Sequence, residues 1–337
     1  MERLPEFRLL RPASVADAVA LLAAEPGARL LAGGTDLVPN LRRGIERPPL
    51  LVDLGALPGF ADFDSSDGSD DGALVLGAGV TLARLALGDG LAAGHAALAE
   101  AARAAAGPGH RSVATLGGNL CQDTRCVFYN QSAWWRAANH HCLKRDGDTC
   151  HVAPQGQRCH AAFSGDLAPA LIALGAEVEL VSAQGTRRLA LADAYRDDGA
   201  AHLALARDEV MVRVFVPAAA EGSASGYRKA RVRGALDFPL AGVARALASA
   251  DGAIASLRVA LTGTNVRPLL LQGTEALCGR PLDEAGVAAL GNQLGKLVGK
   301  QVSPMRTTAS PSHYRRQVAM VLAQRLLREL AAPPPAG

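Results

Sequence analysis

The chain has almost no charge imbalance. Its 35 basic residues face 32 acidic ones, a net charge of +3, which excludes the basic surface expected of a nucleic-acid binder. No apolar run approaches the roughly 18 residues a membrane span requires. Met1 to Arg11 lacks the apolar core of a signal peptide. The expectation is a cytoplasmic protein with no nucleic-acid or membrane partner. Aromatics are sparse at 4 %, while Ala and Gly are abundant. Cysteine is nearly absent outside one segment. Five of the six lie between Cys121 and Cys159, and the rest of the chain holds only Cys278. Thiols in a reducing compartment are free to bind metal, so this concentration points to a metal or cluster site rather than a disulfide framework.

With 337 residues, 49 % of them apolar, the chain is long enough for two or three domains, each with its own core. Ser14 to Asp17 has the form of a capping box opening a helix to about Glu25. A strand at Arg29 to Leu31, a helical turn at Leu37 to Arg43 and a strand at Leu50 to Leu54 follow. Residues 61–72 are an acidic, Gly/Ser-rich hairpin loop before a strand at Leu74 to Ala78. An Ala-rich helix, His95 to Ala106, stops at Gly107-Pro108-Gly109. After Cys159 a helix runs from Asp166 into Leu174. Glu177 to Ser182 and Arg187 to Leu191 form a hairpin about Gln184-Gly185, and Glu209 to Val216 is a further strand. The small, polar stretch Ala218 to Gly226 is the expected domain boundary. Beyond it the pattern reads β-α-β-β-α-α, with Pro239 to Ala248 as the first helix and Pro268 to Leu277 as the third strand. Residues 332–337 are expected to be a disordered tail.

Two diglycine turns carry the first chemical signal. Gly33-Gly34 sits between a strand and a helical turn, and Gly117-Gly118 stands between Thr115-Leu116 and Asn119. Such turns expose consecutive N–H groups that can cradle a pyrophosphate. Neither fits G-x-G-x-x-G, so a Rossmann site is not expected. Taken singly, each reads first as a tight structural turn; the two together, each followed by a polar residue, read equally as structure or as a site.

Three stretches together resemble a known family. Ala32-Gly33-Gly34-Thr35-Asp36, Thr115-Leu116-Gly117-Gly118-Asn119 and Gly165-Asp166-Leu167-Ala168-Pro169 are similar to the FAD-contacting segments of the flavin subunits of molybdenum hydroxylases. Tyr227-Arg228-Lys229-Ala230 with Asp237-Phe238-Pro239 resembles the start of their C-terminal domain. The resemblance implies an α+β chain. Its first part, residues 1–217, would be an FAD-binding PCMH-type (vanillyl-alcohol-oxidase-like) fold of two subdomains, about 1–55 and 56–217. A C-terminal CO-dehydrogenase-flavoprotein-type domain would span 224–331. Between the second and third stretches lies a cysteine-rich insert, about 121–161. Its Cys121-Gln122-Asp123-Thr124-Arg125-Cys126 and Phe128 to Arg136 resemble the beta subunits of the 4-hydroxybenzoyl-CoA reductase branch.

That resemblance implies the following roles. Leu31, Ala32, Gly33, Gly34, Thr35, Asp36, Leu37 and Val38, with Thr115, Leu116, Gly117, Gly118 and Asn119, would hold FAD. Asp166 and Lys229 would also belong to the flavin site. From sequence alone Asp166 reads equally as a helix N-cap, and Lys229 as a solvated strand lysine. Cys126, Cys142, Cys150 and Cys159 would bind a 4Fe–4S cluster, leaving Cys121 as a buried thiol beside the flavin turn. A zinc clip drawing on His140, His141, His151 or His160 is the alternative from the cysteines alone, which would make the chain a zinc-stapled assembly module. Tyr129 and Arg125 are candidates to flank either site. Trp134 and Trp135 would shield the cluster, meet a neighbouring subunit or pack the insert. The implied activity is that of an oxidoreductase subunit. Electrons would run from reduced ferredoxin through 4Fe–4S and FAD to the 2Fe–2S clusters of a small subunit. They would end at molybdopterin on a large one, where 4-hydroxybenzoyl-CoA is dehydroxylated to benzoyl-CoA. The implied assembly is a dimer of heterotrimers, without NAD. This chain would supply no catalytic acid or base. The flavin subunit of another molybdenum hydroxylase, oxidising an aldehyde or an N-heterocycle, is the alternative within the family.

Overall fold

The structure, a computed structural model, describes residues 3–64, 73–308 and 310–331. The expected tail and most of the acidic loop lie outside these residues.

The first structural unit is a small parallel sheet. Ser14 Oγ accepts the Asp17 N–H at 3.1 Å, starting a helix where the capping pattern places it. Strand β1 (Arg8–Leu10), helix α1 (Val15–Ala24), β2 (Arg29–Leu31), α2 (Leu37–Arg42) and β3 (Leu50–Asp53) follow in turn. The strands pair in parallel in the order β1-β3-β2. β3 is the central strand, and Leu50, Leu51 and Val52 are buried, as expected of a parallel strand covered on both faces.

A second sheet is antiparallel. Between β4 (Phe63–Asp64) and β5 (Leu74–Gly77) lies the acidic loop, after which the chain forms α3 (Leu82–Leu87), α4 (Ala96–Ala104), α5 (Pro108–Arg111) and α6 (Leu116–Leu120). The insert contributes α7 (Ala133–Ala138). The apolar helix α8 (Leu167–Leu174) then leads into β6 (Glu177–Ser182), β7 (Gly185–Ala190) and β8 (Val210–Val216). The strand order is β4-β5-β8-β6-β7. Every residue of α8 from Leu167 to Ala173 is buried, so this helix is core rather than surface.

The third sheet departs from expectation. Residues 223–230, 241–250, 253–262 and 269–270 form β9, β10, β11 and β12, paired antiparallel in the order β12-β11-β10-β9. The expected helix at Pro239 to Ala248 is therefore β10. It lies between two layers. Ala241, Val243 and Leu247 pack with Leu290, Leu294 and Ala323 of α9 (Glu284–Gln301) and α10 (Ser312–Ala331). Ala244 packs into the other core with Leu167, Leu171 and Ile172. With both faces apolar the period-2 signal vanishes, and a buried strand cannot be told from a buried helix by pattern. The expected strand at Pro268 to Leu277 shrinks to Leu269–Leu270. Gly273, at φ +83°, turns the chain into a 3₁₀ segment, Thr274–Leu277.

Candidate functional site

The first diglycine turn follows β2 because only glycine fits there. A Cβ on Gly33 would lie 2.0 Å from the Val113 carbonyl oxygen, and Gly34 has φ +70°, a left-handed conformation natural to glycine. Val38 N–H donates to Gly34 O at 3.0 Å. Among the described residues, the N–H groups of Gly33, Gly34, Thr35, Asp36 and Leu37 find no acceptor within the chain.

The second turn lies alongside. Gly33 is packed against Val113 and Ala114, immediately before Thr115. Thr115 Oγ1 caps α6 by accepting the Gly118 N–H at 3.1 Å. The third stretch joins through Asn119, whose Oδ1 accepts the Leu167 N–H at 3.0 Å. A Cβ on Gly165 would lie 2.8 Å from Asn119 O. Backbone contact therefore brings together three segments separated by up to 130 or so residues.

These turns line a cleft of about 550 Å³, within the usual range for a ligand site. Ala32, Gly33, Gly34, Thr35, Asp36, Leu37, Thr115, Gly117 and Gly118 are on its wall. Leu31, Val38, Leu116, Asn119, Asp166 and Lys229 are not among its lining residues. Asn40 Oδ1 and Gln122 Nε2 are buried without a protein partner, and both residues line the cleft. Free N–H groups, orphaned buried polar atoms and a glycine cradle together suit a polar, phosphate-bearing ligand such as FAD.

Asp166 and Lys229 form a buried ion pair. Lys229 Nζ donates to Asp166 Oδ2 at 3.0 Å and to Ala104 O at 3.3 Å, and Tyr227 Oη donates to Asp166 Oδ1 at 2.6 Å. Their side chains are 3 % and 7 % exposed. Lys229 is thus no solvated lysine. Asp166 occupies the N-cap position of α8 without capping it through its side chain. Alternation along β9 places Tyr227 and Lys229 on one face, a signal available in the sequence and missed for Tyr227.

The insert gathers four of its five cysteines. Cys126, Cys142, Cys150 and Cys159 line one small cavity with Phe128, Tyr129, Lys144 and His151. Cys121 lies apart, on the wall of the cleft. Burial pushes the Cys126 thiol up to about 11 and Cys159 up to about 12. As free thiols both are neutral at neutral pH, and binding a metal would release their protons. Ala161 N–H donates to Cys159 Sγ at 3.4 Å, which favours the thiolate once formed. Among the described residues, no three His, Cys, Asp or Glu side chains are placed to hold a single metal ion. Of the four candidate histidines only His151 lines the cavity, while His140 is exposed. Trp135 meets Phe128 at 6.4 Å between ring centroids, whereas Trp134 is 77 % exposed.

The cavity and the cleft share a wall. Tyr129 and Lys144 line both. Lys144 Nζ donates to Asp123 Oδ1 and, at 2.6 Å, to Thr124 Oγ1. The Asp36 carboxylate is engaged with the insert. It pairs with Arg125 and accepts the Asp123 N–H at 2.9 Å. Burial raises its carboxyl above the usual range, with Arg125 opposing. The Arg125 guanidinium also stands 4.8 Å over the Phe238 ring, tying the insert to the C-terminal part.

Comparison with known proteins decides the family. Residues 5–219 match the FAD binding domain in molybdopterin dehydrogenase, and residues 225–330 match the CO dehydrogenase flavoprotein C-terminal domain. This chain belongs to the FAD-binding subunits of the molybdenum hydroxylases. The aldehyde oxidoreductase FAD-binding subunit PaoB of Escherichia coli K12 is 35 % identical over 260 residues, covering 74 % of this chain and 79 % of that protein. The carbon monoxide dehydrogenase medium chain of Afipia carboxidovorans is 28 % identical over 331 residues, covering 97 % of each. Among solved structures, a cyanide-inactivated Cu,Mo-CO dehydrogenase superposes with a TM-score of 0.77 at 25 % identity, covering 98 % of this chain and 99 % of that one. As a molybdenum hydroxylase flavin subunit, the chain is an FAD-binding oxidoreductase subunit with an α+β fold. No helix among the described residues is long and apolar enough to cross a membrane.

Proposed function

We propose that this chain is the electron-transfer subunit of an oxidising molybdenum hydroxylase, acting on an aldehyde, and that it carries a 4Fe–4S cluster beside its FAD. The substrate class rests on the likeness to the aldehyde oxidoreductase subunit. The cluster rests on one observation: four thiols of the insert converge on one cavity whose wall is also the wall of the flavin cleft. A zinc ion at about 2.3 Å from each sulfur needs its ligands drawn tightly together. Four thiols around a common cavity match the four thiolates of a 4Fe–4S cluster, one at each iron.

In this reading residues 1–217 form the flavin part and 224–331 the C-terminal part. Gly33 to Leu37 hold the FAD through backbone N–H groups, Ala32, Thr115, Gly117 and Gly118 shape the cleft wall beside it, and Asn40 and Gln122 meet its polar edges. Leu31, Val38, Leu116, Asn119, Asp166 and Lys229 are retained from the family resemblance alone. FAD takes electrons in pairs and passes them singly, which suits a relay. The substrate chemistry belongs to a large molybdopterin subunit, a small 2Fe–2S subunit lies between, and the external carrier is a ferredoxin. The assembly is a dimer of heterotrimers in the cytoplasm.

The insert favours a second reading through its resemblance, reductive dehydroxylation of 4-hydroxybenzoyl-CoA. The test is the complex purified without oxygen. Aldehyde-dependent reduction of its visible chromophores, with no turnover of 4-hydroxybenzoyl-CoA under reduced ferredoxin, is expected. The reverse pattern overturns the oxidative reading.

A further inference from the structure

The wall between cavity and cleft carries its charges unevenly. Lys144 lines both spaces, whereas Asp123 lines only the cleft. The pair is well shielded, with side chains 6 % and 23 % exposed. Each end is fixed. Lys144 Nζ also donates to Thr124 Oγ1 at 2.6 Å and rests 4.3 Å from the Tyr129 ring centroid. Asp123 Oδ1 accepts the Thr124 N–H at 2.9 Å, and the Asp123 N–H is held by Asp36. The pair is neutral in sum but uneven across the wall: only its positive member lines the thiol cavity, while both members line the cleft. In a shielded interior such a field is not averaged away by water.

We propose that the Lys144–Asp123 pair is a fixed dipole that raises the reduction potential on the thiol side of the wall relative to the flavin side. An electron added among the four thiols faces Lys144 without Asp123, whereas one added in the cleft faces both and is attracted less. The bias draws electrons from cleft to cavity, the direction an oxidising enzyme needs to pass them outward. Lys144 and Asp123 are positioning residues, acting through their field and transferring neither proton nor electron themselves. This inference rests on the proposed cluster.

The test is a redox titration followed by electron paramagnetic resonance, on the complex purified without oxygen, with iron and sulfide assayed in every sample. Lys144→Met is expected to shift the reduced-to-oxidised ratio of the iron signal at least tenfold toward oxidised at a fixed potential. For a one-electron couple that is about 59 mV downward. Asp123→Asn, which leaves Lys144 uncompensated, is expected to move the same signal upward, and Lys144→Arg to leave it near wild type. Opposite signs for the two neutralising variants are what a merely structural role would not give. Shifts of the same sign, or both below threefold, overturn the proposal. If Lys144→Met loses its iron, the Asp123→Asn sign decides: a rise supports the dipole and a fall or no change overturns it. Iron absent from this chain in the wild type removes the cluster reading and the dipole together, whereas iron present with unshifted potentials removes the dipole alone.

Discussion

Replacing Gly33 by alanine tests whether the two glycine turns hold the flavin by packing backbone against backbone. The new Cβ would lie 2.0 Å from Val113 O, 2.7 Å from Val113 C and 2.9 Å from Ala114 Cα. Ordinary C···O contact begins near about 3.3 Å, so the second turn has to retreat by more than about 1 Å. None of the obstructing atoms is a side chain that can rotate away. Overpacking of this kind costs roughly 1–3 kcal/mol, and the backbone nature of the contact places Gly33→Ala at the upper end. The retreat also opens the cradle, so FAD should be lost in purification or bound at least tenfold more weakly, about 1.4 kcal/mol. Gly109→Ala is the control, because its Cβ would meet nothing within 4 Å. Thermal unfolding and flavin content of the two variants settle the matter. A Gly33→Ala protein with wild-type melting temperature and full FAD would refute the packing argument.

Two further predictions come from buried charges. Lys229→Met strands the Asp166 carboxylate, which is 7 % exposed, and should destabilise the chain by about 3–5 kcal/mol. Adding Asp166→Asn should recover most of that loss in denaturant titrations, and a single variant within about 1 kcal/mol of wild type would contradict the pairing. Burial holds His202 down to about 4, with Asp123 opposing. The folded chain therefore keeps it neutral, while the unfolded chain protonates it below about 6.5. Because the unfolded state binds the extra proton, stability should fall as pH drops from about 6.5 toward 4, by as much as about 3 kcal/mol. His202→Gln should flatten that slope, and an unchanged slope counts against the assignment.

What could be read from the sequence was local. The diglycine turns were legible because backbone crowding at Gly33 and the left-handed turn at Gly34 admit little else. The cysteine segment was legible by concentration, and the structure places Cys121 on the cleft wall and the other four around one cavity. The capping box of α1 was legible because its partners are three residues apart. What failed depended on layers or on distance. β10 looked helical because it is buried between two cores. Asp166 reads as a cap until Lys229, 63 positions on, is brought to it. The Asp36 carboxylate finds Arg125 89 positions away, a contact that no local pattern announces. Lys144 and Asp123 stand 21 positions apart, with no periodicity to announce them.

On the proposed reading, this chain holds a flavin and an iron–sulfur cluster on either side of one wall. The direct measurement is iron, acid-labile sulfide, zinc and FAD per complex, for the wild type and Cys142→Ser purified together with the partner subunits without oxygen. Iron on the partners is common to both samples, so the difference belongs to this chain. About four irons and four sulfides more are expected in the wild type, with FAD equal in the two. Equal iron in both samples, or zinc lost in place of iron, would contradict it.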